Sequence, residues 1–204
     1  MNPRARLSRL ILRFALVFLA VTVALVGLWS FLAPAYAAAV GGLAGPLFRL
    51  FETSNVSVLD VQGAEIWIYR IVGPGEIAPF TWFDRYTFFA VIPLLALLVA
   101  TPGLGAWRRL GRVGLGIGAL WLIHAGYLVV SVELSYAAIG LSAIGPLFAR
   151  TLDVWQIGVR VLWEAAPVAI WVLLTLGVWK RALQRNRGEG RRERPSIEAI
   201  EASG

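Results

Sequence analysis

The stretch FALVFLAVTVALVGLWSFL, from Phe14 to Leu32, carries no charged residue. A helix needs about 20 apolar residues to cross a bilayer core, and this run is long enough. Three further stretches qualify in the same way: about Tyr86 to Thr101, about Val113 to Ser135 and about Val161 to Trp179. The second is short, contains Pro93, and reaches full length only by borrowing Phe80, Trp82 and Phe83 at its outer end. In water, a bundle of such segments would expose apolar surface on nearly every face. The expected fold is therefore an all-α integral membrane protein with four transmembrane helices, and its membrane domain covers residues 1–183.

Composition agrees with that reading. The chain of 204 residues is 58% hydrophobic and 15% charged, against about 25% charged in a typical soluble domain. Its mean hydropathy is +0.72. It has no cysteine, which excludes disulfide frameworks, Cys-ligated zinc, iron–sulfur clusters and cysteine nucleophiles.

The formal charge is +7, and its distribution sets an orientation. Arg4, Arg6, Arg9 and Arg13 precede the first span, while Arg108, Arg109 and Arg112 separate spans two and three. Lys180, Arg181, Arg185, Arg187, Arg191, Arg192 and Arg194 follow span four. The opposite side holds only Arg49, Arg70, Arg85, Arg150 and Arg160, interleaved with acidic residues. The positive-inside rule then places both termini in the cytoplasm of a bacterial cell, with the chain multi-pass in its inner membrane. The positive excess is a topology signal and not a nucleic-acid footprint. The tail from residue 184 to 204 is polar, basic and Gly/Pro-punctuated, so disorder is expected there.

At the first span, Ala35-Tyr36-Ala37 has the A-x-A form of a secretory cleavage site. The preceding apolar run exceeds the usual 7–15 residues of a signal core, so a retained helix is expected.

The outer loop, about residues 33 to 85, divides in two. Ala37 to Phe51 is Ala/Gly/Leu-rich and reads as a separate helix lying on or re-entering the membrane. Asn55 to Val61 and Glu65 to Val72 then switch to β-branched and aromatic residues around Gln62-Gly63-Ala64. That pattern predicts a small extracytoplasmic β-hairpin with a tight turn, closed off by Gly73-Pro74-Gly75. Two short strings also recur at an offset of 100 residues: Tyr36-Ala37-Ala38 as Tyr136-Ala137-Ala138, and Gly45 to Phe48 as Gly145 to Phe148. Two parallel repeats and coincidence in an Ala/Gly/Leu-rich chain explain this about equally well.

Candidate chemistry is sparse. His124 is the only histidine and lies in the middle of span three, with Tyr127 as the one neighbour within a helical turn able to share a proton. A neutral ring bonding across to another helix is the favoured reading. Asp84, Arg85, Glu133, Asp153, Arg160 and Glu164 sit near outer span ends and form a candidate polar cluster beneath the hairpin. Gly111, Gly114, Gly118 and Gly126 give span three a small-residue face suited to close helix contact, within the bundle or with a partner. No metal-ligand spacing and no phosphate loop occurs, so neither a metal nor a cofactor is expected. Gly140-Leu141-Ser142-Ala143 matches the G-x-S-x pattern of the rhomboid proteases. It lacks the later histidine that would activate the serine.

The layout as a whole resembles the core of the exosortase/archaeosortase family. The features that carry the resemblance are their order: the β-like Val58 to Val72, the aromatic entry Thr81 to Ala100 and the inner Arg108-Arg109. Leu110 to Ser135, with its mid-membrane polar residue, and Arg160 to Trp179 follow. That resemblance implies a sorting transpeptidase with cysteine, arginine and histidine at the outer face. Here Thr81 to Arg85 occupy the cysteine region, His124-Ala125-Gly126-Tyr127 replaces Asn-x-x-Arg, and Trp163-Glu164 stands where the histidine belongs. The chain is thus similar to the small exosortase-H-associated membrane proteins, and the resemblance implies a partner rather than an enzyme. The expected function is a non-enzymatic accessory that binds membrane lipids and a membrane protein, an exosortase or its sorted substrate. Two rivals stand beside it: a small-solute carrier or channel with a midplane site near His124, and a residual membrane-embedded hydrolase or transpeptidase.

Overall fold

One helix, α1 (Pro3–Phe51), runs through the first span and continues without a break. The separate interfacial helix expected over Ala37 to Phe51 is instead the second half of α1. At 49 residues it is about 74 Å long at 1.5 Å per residue. Pro34 and Pro46 lie inside it, and each leaves the carbonyl four residues earlier, of Ser30 and Gly42, without its helical donor. Packing outweighs those losses. Trp29, Ala33, Tyr36, Ala37, Val40, Ala44 and Phe48 are all buried and recur every three or four residues as one stripe. The A-x-A string therefore lies mid-helix, with Ala37 fully buried. The first half is different: Leu16, Leu19 and Val23 are about 60% exposed. The structure, a computed structural model, describes residues 3–51, 57–77, 81–140, 150–151, 154, 157–158, 160–161 and 163–178. The second Gly-Pro-Leu-Phe string and the basic tail lie outside those residues.

The hairpin forms with the expected turn. β1 (Ser57–Gln62) pairs antiparallel with β2 (Glu65–Gly73), and Gln62 faces Glu65 across a two-residue loop. Gly63 at φ +60° is the residue that tolerates the first position of a type II′ turn. Gly73-Pro74-Gly75 turns the chain again, with Gly75 at φ +79°, into β3 (Glu76–Ile77) beside β2.

A further strand was not expected. β4 (Thr81–Phe83) pairs with the other edge of β2, Phe83 opposite Ile66. The aromatic residues assigned to the end of span two are in part a strand. Side chains on β2 alternate, so Ile66 and Ile68 are fully buried. They share a face with Leu59 and Val61 of β1. That face meets α1 at Gly41, where a Cβ would lie 2.7 Å from Val61 Cγ2 and 3.1 Å from Leu59 Cδ2. Only glycine lets the helix approach so closely.

Four i to i+3 bonds, donated by the N–H groups of Thr87, Phe89, Val91 and Ile92 to the carbonyls of Asp84, Tyr86, Phe88 and Phe89, lead into α2 (Val91–Ala100). Pro93 explains the late start: in the first turn its missing N–H costs nothing, whereas deeper in a helix it would break a bond. α3 (Ala106–Ala138) buries Gly116, Leu120, His124, Leu128, Val132 and Tyr136, every fourth residue, toward α1 and α2. α4 (Trp163–Val178) follows.

The chain is thus mostly helical with a small antiparallel sheet. Ser8–Leu50 within α1 and the whole of α3 are long and apolar enough to cross a membrane. α2 and α4 occupy the places of spans two and four; α2, at 10 residues, is shorter than the ~20 residues a crossing needs, and the described part of α4 is Trp163–Val178.

Thr101 locks the end of the bundle where α2 passes into α3. It is fully buried, its Oγ1 donates to the Leu97 carbonyl at 2.7 Å and accepts from Trp171 Nε1 at 2.8 Å. Arg109 Nη2 donates to its carbonyl at 3.3 Å. One residue thereby joins α2, α3 and α4.

Candidate functional site

Four segments converge on His124. α1 supplies Tyr36 from its buried stripe, the turn before α2 supplies Phe88, α3 supplies His124 with Tyr127, and α4 supplies Trp163. Tyr36 Oη and His124 Nδ1 are 2.9 Å apart in a hydrogen bond whose direction the ring tautomer sets. The imidazole stacks on Trp163, centroids 4.0 Å apart at 25°, and meets Phe88 at 5.5 Å. Tyr127 packs on the same indole at 4.5 Å, and Phe83 of β4 meets Tyr127 edge-on at 6.2 Å. The histidine is fully buried and bonds across to another helix. Its Nε2 is buried without a hydrogen-bond partner among the described residues. Such an arrangement cross-links α1, α3 and α4 within an aromatic shell. The rings around His124 bring it no carboxylate, and its one hydrogen bond goes to a phenol.

Trp163 also lines an open groove of about 440 Å³ between α1, the start of α2 and α4. Thr22 and Val26, Phe89 and Pro93, and Pro167 form its mostly apolar walls, with Glu164 its one charged side chain.

The expected polar cluster is distributed over several local roles. Asp84 Oδ1 accepts from the backbone N–H groups of Tyr86 and Thr87 and from Thr87 Oγ1, each at 3.0 Å. It therefore caps the turn that leads to α2. Replacing it with alanine is expected to cost about 1 kcal/mol, read as a lower thermal midpoint in detergent, with asparagine recovering most of the loss. Arg85 is exposed, and its carbonyl accepts from Trp29 Nε1 at 3.0 Å. Glu133 is half-buried on α3, three residues before Tyr136, over whose ring the Arg70 guanidinium sits at 5.0 Å. Arg160 and Glu164 are exposed, and no ion pair joins them among the described residues. Asp153 and Ser142 lie outside the described residues.

The glycine face is open. A Cβ at Gly111, Gly114, Gly118 or Gly126 would meet nothing within 4 Å among the described residues. The glycine that does admit close packing is Gly116, where a Cβ would lie 3.2 Å from both Leu94 Cδ2 and Leu98 Cδ1 and 3.5 Å from Leu174 Cδ1. Sequence reading missed it, although it stands eight residues before His124 on the same every-fourth-residue stripe. The described residues contain no group of three or more His, Asp or Glu able to hold a metal.

Compared with known proteins, the chain matches no family model, no curated protein and no solved structure.

Proposed function

We propose that the chain is a non-enzymatic accessory protein of a bacterial inner membrane. It crosses four times with both termini in the cytoplasm, and it binds a membrane partner of an exosortase-type sorting system, the enzyme or its sorted substrate. The open glycine face of α3 carries this reading. Gly111, Gly114 and Gly118 make a track on which a second helix backbone can approach, and among the described residues nothing lies within 4 Å of where their side chains would begin. Leu115 and Leu122 beside them are 67% and 63% exposed.

The positions that correspond to the family's catalytic residues support the same reading. In the cysteine region Thr81 to Arg85, Asp84 is engaged in a turn cap, while Tyr127 at the arginine position and Trp163 at the histidine position pack on each other at 4.5 Å. Each already serves the fold.

Co-purification in mild detergent tests the proposal. An exosortase or a sorted protein is expected to accompany the wild-type chain, and Gly114→Leu/Gly118→Leu is expected to release it. Recovery of the chain alone, from cells that make both candidates, counts against the proposal.

A further inference from the structure

At the end of the bundle where α2 passes into α3, two half-buried arginines have no carboxylate partner among the described residues. Arg109 Nε and Arg112 Nη1 are both buried without a hydrogen-bond partner among the described residues. They stand i and i+3 on α3, on one face. Among the described residues Arg109 has a single acceptor, the Thr101 carbonyl at 3.3 Å. No Asp or Glu occurs between Arg85 and Glu133, nor before Glu52. α1 brings more positive charge to the same end: Arg13 adjoins Phe14, whose ring is 6.2 Å from Trp171, the partner of Thr101. A buried guanidinium N–H left unpaired is costly; Glu189, Glu193, Glu198 and Glu201 of the tail lie outside the described residues, and an anion from outside the chain would satisfy both donors.

We infer that Arg109 and Arg112 bind the phosphodiester of an anionic phospholipid of the inner leaflet. The depth fits a headgroup, because Trp107, two residues before Arg109 and five before Arg112, is 85% exposed, as an interfacial indole is. Guanidinium N–H groups suit phosphate oxygens in direction and charge. A zwitterionic lipid brings its own ammonium into the site and is the poorer ligand. The inference uses the membrane location in the proposed reading and is independent of any protein partner.

Native mass spectrometry of the full chain in neutral detergent tests it, with phosphatidylglycerol and phosphatidylethanolamine as the probes. Phosphatidylglycerol is expected to bind more tightly, and Arg109→Gln/Arg112→Gln to lose about fivefold of that preference per arginine removed. Inorganic phosphate in excess is expected not to displace the lipid. Equal binding of the two lipids by the wild-type chain overturns the inference without need of any variant. So does an unchanged preference in the double variant, or its loss on Arg185→Gln/Arg187→Gln in the tail instead. Displacement by inorganic phosphate assigns the site to a free anion and also overturns it. A chain that leaves the membrane fraction without detergent refutes the membrane location itself, separately from these outcomes.

Discussion

Gly116→Leu is expected to lower the thermal midpoint of the detergent-solubilised protein sharply, while Gly114→Leu leaves it near the wild-type value. The two glycines are two residues apart and point about 160° from each other around α3. At Gly116 a Cβ alone would sit 3.2 Å from two leucine methyls of α2 and 3.5 Å from one of α4. A leucine adds three more carbons where three helices already meet. Overpacking of that kind costs about 1–3 kcal/mol, and more where backbone must move. At Gly114 nothing lies within 4 Å, and alanine there is expected to stabilise slightly, since glycine costs a helix interior up to about 1 kcal/mol. Equal loss from both leucine variants contradicts the packing described.

His124→Ala is expected to have the other large effect. It deletes a fully buried ring that stacks on Trp163 at 4.0 Å and bonds Tyr36 at 2.9 Å. Loss of a large buried side chain costs about 2–5 kcal/mol when its surroundings relax incompletely. Tyr36→Phe removes the bond alone, and within a membrane such bonds contribute about 0.6 kcal/mol and at most about 1.7. The double variant is expected to lose less than the sum of the two, because the shared hydrogen bond is counted once. Additive losses in denaturant unfolding contradict a direct Tyr36–His124 bond.

Local patterns made part of this fold legible. The hairpin follows from alternation and from Gly63, whose φ of +60° suits a residue without a Cβ. The charge asymmetry is likewise a property of the sequence. What escaped was non-local. β4 exists because Thr81–Phe83 lies along the free edge of β2, and nothing in three aromatic-rich residues distinguishes a short strand from a helix end. α1 continues past Pro34 because its buried stripe finds α2, α3 and the sheet, a gain that propensity does not register. The glycines of α3 show the same limit from the other side. A Gly-x-x-x-Gly pattern marks a face able to pack closely and leaves open which side of the bundle it is on. The polar His124 held that information, since counting back by fours from it reaches Leu120 and Gly116.

The site was partly legible too. A lone intramembrane histidine pointed to a cross-helix bond, and the structure supplies Tyr36 as its partner from α1. The stacking on Trp163 could not be read, because the spacing of the two residues in sequence says nothing about how α3 and α4 meet. Thr101 and Trp171 were missed for the same reason.

The most direct test of the account is photo-crosslinking from position 115, on the open glycine face of α3. A photoreactive residue replacing Leu115, introduced in cells, is expected to give an adduct with an exosortase or its sorted substrate. Adducts with lipid alone, in cells where both proteins are made, would contradict the account.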